Sequence, residues 1–328
     1  MSKLRKLAII STHPIQYNVP FFRLLSRRGI IDLKVFYTWG IEASRTKFDP
    51  GFGTNIEWDI PLLEGYNYTF VENSSNAKGS HHFRGIINPS LITEITEWGA
   101  EAILFYGWSF QSHLKSIRYF AGKLPVYFRG DSISINKMFI LKRILRSVFL
   151  KWVYSHVDTA FYVGSHNKTY FEKNGLNSCQ LTFAPHAVDN DRFESTLIEK
   201  RSEIEKWRSS LHISSDAVVF LYAGKMDTNK NVALLADAFT SLNEKNAHLI
   251  LAGEGALKDA LLLKYASVGN VHFLPFHNQT MMPLLYGLSD VYVLPSLSET
   301  WGLAINEAMA CGKAVIVSDS CGAATDIV

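Results

Sequence analysis

Cysteine is scarce in this chain, with only Cys179, Cys311 and Cys321 among 328 residues and no paired spacing. That argues against a disulfide framework and against a cysteine-based zinc site. Long apolar runs are missing too, and no uninterrupted stretch approaches the roughly 18 residues of a membrane span. The basic start, Lys3-Leu4-Arg5-Lys6, leads into only four apolar residues (Leu7 to Ile10) before Ser11-Thr12-His13. That is too short for the apolar region of a secretion signal and reads as a first strand. No Gly-x-Gly-x-x-Gly follows that strand, which disfavours a dinucleotide dehydrogenase. Neither an internal repeat nor a low-complexity tract is visible, and no nucleic-acid-binding module accompanies the basic residues. The chain is expected in the cytoplasm, with a peripheral position on the inner face of a membrane as an option.

What is present fits a globular protein. Hydrophobic residues make up 47% and charged residues 19%, which excludes a disordered chain or a coiled coil. At roughly 150 residues per domain, the length suggests two domains. Charge is split unevenly. Residues 1–200 carry 24 Lys and Arg against 17 Asp and Glu, whereas residues 201–328 carry 9 against 13. Short apolar or β-branched runs alternate with helical patterns throughout, the rhythm of βαβ units and parallel sheets. Strands are expected at 6–11, 32–37, 101–106, 124–129, 158–163 and 181–184, then at 218–223, 248–252, 271–274, 291–294 and 314–317. That count suits two doubly wound domains, 1–188 and 189–328. The polar stretch 190–215 between them reads as a linker with one connecting helix. The last βα unit, after Ser318–Gly322, reads as unfinished, and the chain is expected to be truncated.

The most informative stretch runs from Pro295 to Asp319. A strand at 291–294 feeds a loop carrying Glu299, a helix starts near Gly302, and Gly312 is a suitable residue to stop it. Glu299 then lies at the carboxyl end of a parallel strand, where open α/β sheets hold ligands. Glu307 lies one to two turns into the helix, whose amino-terminal amides suit a phosphate. Two carboxylates flanking such a site can accept hydrogen bonds from the hydroxyls of a hexose and of a ribose. The plainer alternative is that Glu299 caps the helix and Glu307 sits on a solvated face.

The run Ser-Glu299-Thr-Trp-Gly302…Asn-Glu307-Ala-Met-Ala-Cys-Gly312 resembles the Glu-x7-Glu signature of the retaining glycosyltransferases of family 4 (glycosyl transferases group 1). Phe220-Leu-Tyr-Ala-Gly224-Lys225…Lys230, Leu251-Ala-Gly253-Glu-Gly255 and Pro185-His186-Ala-Val-Asp189 are similar to further elements of that family. The resemblance covers the whole layout but is sharp only from about residue 181. It implies a GT-B fold, two Rossmann-like α/β domains facing across a cleft, with acceptor on the first and nucleotide sugar on the second. It implies transfer of a hexose from a UDP- or GDP-sugar, with retention, to a glycan, lipid-linked or small-molecule acceptor in polysaccharide or glycoconjugate synthesis.

Lys225 and Lys230 would clamp the diphosphate, Glu307 the ribose and Glu299 the donor sugar, with Gly224, Trp301, Gly302 and Leu303 lining the donor. No cofactor and no metal are expected, because cations and the helix terminus neutralise the leaving group. Alternatives are a nucleotide-sugar epimerase or phosphorylase of similar layout, or a non-catalytic nucleotide-sugar-binding scaffold.

In the first half the sequence departs from the family. Ser11-Thr12-His13-Pro14-Ile15-Gln16-Tyr17 replaces a Gly-Gly loop, so His13, Gln16 and Tyr17, with Asp131, are candidate acceptor contacts. Arg129 stands where members often place a histidine against the donor sugar, and is the candidate catalytic residue of that half. Arg129 and Asp131 could equally be a structural ion pair. The helix expected over 137–156 puts Leu141, Ile144, Leu145, Val148, Phe149 and Trp152 on one arc and Lys142, Arg143 and Arg146 on another. Two accounts stand: a core-packing helix with a wet basic face, or a surface that meets anionic lipid.

Overall fold

The computed structural model describes residues 4–44, 47–49, 51–134 and 140–328. The chain divides into two compact units, the first made of residues up to 46 and 61–186, the second of 47–60 and 187–328. Residues 47–60, assigned by the sequence reading to the first domain, therefore fold with the second.

The first unit starts with β1 (Arg5–Ser11), α1 (Val19–Arg28) and β2 (Ile31–Tyr37). The hairpin β3 (Lys47–Asp49) and β4 (Thr54–Ile56) belongs to the second unit. The first unit continues with β5 (Asn67–Phe70), α2 (Leu91–Trp98), β6 (Ala102–Tyr106), α3 (Gln111–Phe120) and β7 (Val126–Arg129). It ends with α4 (Ile140–Tyr154), β8 (Thr159–Tyr162), α5 (Ser165–Lys173) and β9 (Leu181–Phe183). Its seven strands form one sheet in the order β5-β2-β1-β6-β7-β8-β9, every pair parallel. Central strand β1 is apolar without alternation because both its faces are covered. Ala8 and Ile10 join Phe36, Phe105 and Phe128 on one side, while Ile9 joins Val35, Tyr37 and Leu104 on the other. Burying each such large side chain contributes about 1.5–3 kcal/mol relative to leaving it in water.

The apolar arc expected on the 137–156 helix is not the packed one. Residues 135–139 and the side chain of Leu141 lie outside the described part. From residue 142 on, α4 enters the core through Leu150, Val153 and Tyr154, while Ile144, Leu145, Val148, Phe149 and Trp152 are 39–63% exposed. The core-packing account of that arc is thus overturned. Among the described residues, no helix is long and apolar enough to cross a membrane.

The second unit contains α6 (Asn190–Glu199), α7 (Arg201–Ser210), β10 (Val218–Ala223), α8 (Val232–Leu242), β11 (Ala247–Ala252), α9 (Lys258–Tyr265), β12 (Val271–Leu274) and α10 (Met282–Gly287). It closes with β13 (Val291–Leu294), α11 (Leu303–Ala310), β14 (Ala314–Val317) and α12 (Ala324–Ile327). Its parallel sheet has the order β12-β11-β10-β13-β14. The stretch read as a linker with one helix is two helices, α6 and α7, packed on α10 and α11. Asp189 caps α6 through the Arg192 amide at 3.2 Å, and Phe193, 1% exposed, stacks edge-on against Tyr286 at 6.1 Å. Few apolar residues anchor these helices, which is why their composition mimics a linker.

Candidate functional site

In the second unit, the candidate site residues sit where adjacent strands β10 and β13 end. Tyr222, fully buried in β10, donates its phenol to the Lys225 carbonyl at 2.5 Å and so fixes the turn that presents Lys225. Burial pushes that phenol well above its ordinary pKa, with Asp227 and Glu299 adding to the shift. The neighbouring exit loop of β11 lies against this turn; a Cβ at Gly253 would stand 1.9 Å from the Gly224 carbonyl oxygen. Only glycine permits that approach. Lys230 precedes α8, its amide donating to the Asp227 carboxylate at 2.9 Å.

Two carboxylates engage these lysines. The Lys230 ammonium donates to Glu299 in a short ion pair, both side chains about one-fifth exposed (22% and 19%). The Lys225 ammonium reaches both oxygens of Asp49, at 2.8 and 3.1 Å. Burial alone would raise the Asp49 pKa, but hydrogen bonds from Lys225 and the Gly51 amide more than reverse this and hold it below the ordinary value.

The Glu299 loop is pinned on both sides. The Leu297 amide donates to the Asn229 carbonyl at 2.8 Å, and the Glu299 amide to Ser320 at 3.2 Å. The Gly322 amide returns a bond to the Glu299 carbonyl at 2.9 Å, and the Asn229 amide group donates to Ser298 at 2.8 Å. Glu299 is therefore paired with Lys230 and is not a helix cap; α11 opens on Gly302, at φ 97°, with no side-chain cap. Trp301 is buried and bonded through its indole N–H to Asn306 at 2.8 Å, and Leu303 is the first residue of α11. Glu307 is 2% exposed, which rules out the solvated-face alternative, and accepts the Tyr286 phenol at 2.8 Å.

The first-unit candidates are less charged in effect. His13, after β1, has its Nδ1 2.8 Å from the Thr12 hydroxyl and its ring edge-on to Trp39 at 5.3 Å. Gln16 and Tyr17, half-buried, lie in the turn before α1. Arg129 ends β7, and its guanidinium donates to the backbone carbonyls of Ala184 at 2.8 Å and Pro185 at 3.2 Å. Burial lowers its pKa, partly offset by Tyr106 and then by the Asp131 charge. The adjoining His186 is pushed down to about 4, first by burial and then by the charge of Arg129. Arg129 thus holds the strand exit that carries His186.

Against this geometry the comparisons are specific. Residues 203–328 match the family described as glycosyl transferases group 1. The second unit carries a glycosyl transferases group 1 domain. Within the chain, 181 residues are 24% identical to N,N'-diacetylbacillosaminyl-diphospho-undecaprenol alpha-1,3-N-acetylgalactosaminyltransferase of Campylobacter jejuni, covering 55% of this chain and 47% of that protein. A stretch of 168 residues is 30% identical to lipopolysaccharide 1,2-N-acetylglucosaminetransferase of Salmonella typhimurium, covering 47% of this chain and 42% of that protein. The chain thus spans less than half the length of these two relatives. Anabaena HepE, solved with UDP and glucose, superposes with a TM-score of 0.66 at 18% identity, over 97% of this chain and 82% of that one. Sucrose-phosphate synthase from Thermosynechococcus elongatus gives 0.68 at 17%, over 99% and 84%. Both units of the chain have the parallel α/β architecture of the GT-B fold.

Inside the group 1 domain, Gly224, Lys225, Lys230, Glu299, Trp301, Gly302, Leu303 and Glu307 all lie on the exit loops of β10 and β13 or on α11. Among the described residues, no group of three or more His, Cys, Asp or Glu could hold a metal. Asp49, Phe52 and Tyr286 escaped the sequence reading. Only the turn chemistry of Asp49-x-Gly51 hinted at structure there, and nothing local ties it to Lys225, 176 residues away.

Proposed function

We propose that this protein is a glycosyltransferase that moves a hexose from a UDP- or GDP-sugar to a glycan, lipid-linked or small-molecule acceptor, with retention and without a metal. The observation carrying this reading is the placement of Lys225, Lys230 and Glu299 on the β10 and β13 exits inside the group 1 domain. Relatives named as transferases of undecaprenol-linked and lipopolysaccharide sugars support a role in polysaccharide or glycoconjugate synthesis.

The chemistry follows from charge. Breaking the bond between the sugar and its diphosphate leaves negative charge on the phosphate oxygens. Lys225, Lys230 and the amino-terminal amides of α11 stabilise that charge as it grows, the kind of preorganised electrostatics that commonly supplies most of a barrier reduction. Lys230 is held by Glu299 until donor arrives; the carboxylate then accepts hydroxyls of the sugar while the ammonium turns to the phosphate. Glu307 accepts the ribose hydroxyls. Retention requires the acceptor oxygen to attack from the face the diphosphate leaves. No side chain is assigned as a nucleophile. The acceptor belongs to the first unit, near His13, Gln16, Tyr17 and Asp131, with Arg129 ordering that site through the segment it grips.

We further assign α4 to an anionic membrane surface at the inner leaflet. Its exposed Ile144, Leu145, Val148, Phe149 and Trp152 are flanked by exposed Lys142, Arg143, Arg146 and Lys151, and Arg118 lies 5.2 Å over the Trp152 ring. Apolar side chains beside lysine and arginine suit an interface of anionic headgroups.

Incubation with a panel of UDP- and GDP-sugars tests the function. Release of nucleoside diphosphate with a retained anomeric centre in the product, unaffected by EDTA, is expected. Binding without any turnover would favour the scaffold alternative, and an interconverted nucleotide sugar would favour an epimerase.

A further inference from the structure

Asp49 and residues 51–60 lie across the carboxyl ends of the second unit's sheet as a strap with three attachments. At one end Asp49 meets Lys225 after β10. In the middle, the Phe52 ring packs edge-on against Phe276 at 5.0 Å, and Lys225 Nζ lies 5.0 Å from the centre of the Phe52 ring. At the far end, beyond β12, Asn278 donates to the Glu57 carbonyl at 2.5 Å, and Asp59 accepts the Thr280 amide at 3.1 Å and its hydroxyl in a shorter bond. The Lys225 stem lies on the Gly51 backbone, where a Cβ would stand 2.6–2.8 Å from its last three side-chain atoms.

We infer that Asp49 is an affinity-setting residue of the nucleotide site, an internal anion that the donor's diphosphate must displace from Lys225. The inference rests on the reading of Lys225 as a phosphate ligand. Its physical basis is that one ammonium cannot serve two anions fully. Asp49 offers Lys225 both carboxylate oxygens, the geometry a phosphate would otherwise use, and Asp49 itself is steadied by the Gly51 and Phe52 amides at 2.8 and 3.2 Å. An incoming diphosphate therefore meets a satisfied cation and a like charge beside it. Apparent affinity falls by the fraction of molecules in which Lys225 is free. Phe52 and Asp59 hold the strap where this competition occurs, and the donor binds by exchange.

The test is calorimetric titration of UDP, with GDP in parallel, into the full chain and its Asp49→Asn, Asp59→Ala and Lys225→Ala variants. Asparagine keeps the acceptor oxygen for the two turn amides and removes the charge. Asp49→Asn should bind the nucleotide about 10-fold tighter, the scale of one released charge-assisted contact. Asp59→Ala, which loosens the far end, should also tighten binding, by about 3-fold on the same competition arithmetic. Adding Asp49→Asn to Lys225→Ala should yield no gain. If Lys225→Ala weakens binding while Asp49→Asn leaves it unchanged or weaker, the competition is refuted and Asp49 positions Lys225 instead. If Lys225→Ala itself leaves affinity unchanged, the phosphate reading fails, and this inference with it.

Discussion

Both units end their parallel sheets in loops, yet the chemistry at those ends differs. In the second unit the loops hold two ammonium groups, each paired with a carboxylate and only about one-fifth to one-third exposed. Among the described residues of the first unit, the cation that ends a strand, Arg129, is committed to the backbone carbonyls of Ala184 and Pro185. The groups that act on its charge are Tyr106, Asp131 and His186. His113 is fully buried between the Thr38 hydroxyl, 2.8 Å from Nε2, and the Gly107 carbonyl, 3.0 Å from Nδ1. A pair that can trade partners suits a reaction in which charge appears and leaves. A cation fixed on carbonyls suits the shaping of a pocket.

The largest effect expected from this contrast is on turnover. Glu299→Ala and Lys230→Ala should each lower transfer by roughly 10- to 100-fold, the loss of one charged hydrogen bond. Glu299→Ala should lower kcat more than Glu307→Ala. Wild-type rates in both Glu299 and Lys230 variants would remove the second unit's claim to the chemistry.

Next in size is Arg129. Its replacement by alanine leaves two carbonyls without their donor and should cost about 1.5–3 kcal/mol of stability, read as a shift in the urea midpoint. Nucleoside-diphosphate affinity should stay within about 2-fold, because Arg129 is engaged with backbone carbonyls and the proposed phosphate ligands are Lys225 and Lys230. A large loss of nucleotide affinity in a folded Arg129→Ala protein would erase the distinction drawn between the two strand ends.

The two positions were not equally legible. The strands could be read because each is a short apolar or β-branched run closed by glycine or a polar cluster, and the Glu299 to Glu307 spacing carries a motif. Helices α6 and α7 could not, since only Phe193 and Ile204 are buried in them and their partners α10 and α11 lie far ahead in the chain, at 282–287 and 303–310. Helix α4 shows why an arc is not a burial statement: periodicity located its apolar residues but not the neighbour that covers Leu150, Val153 and Tyr154. Asp49 was invisible for a related reason, as its partner is fixed only once residues 47–60 fold with the second unit.

A smaller effect separates the units by pH. Burial pushes His113 down to about 4 from an ordinary 6.5, so the folded state resists a proton that the unfolded chain accepts. Its contribution to stability is complete above pH 6.5 and is lost as pH falls toward 4, by about 2 kcal/mol between pH 6.5 and 5. Denaturant melts of His113→Gln should show that share of the acid sensitivity gone. An unchanged pH slope would mean that His113 is not held neutral.

The smallest effect in solution is expected at α4. Reversing Lys142, Arg143 and Arg146 to glutamate should leave turnover on a soluble acceptor unaltered, yet abolish co-sedimentation with acidic vesicles. In the unaltered protein that binding should weaken as salt rises. Sedimentation indifferent to lipid charge would contradict the membrane assignment.

The most direct test of the central claim is calorimetric titration of UDP and GDP into the wild-type chain and into a Lys225→Ala/Lys230→Ala double variant. The account predicts saturable binding of one nucleoside diphosphate to the wild type. In the double variant, affinity should fall by at least about 100-fold as two charge-assisted contacts are lost. Equal affinities in the two proteins would contradict it.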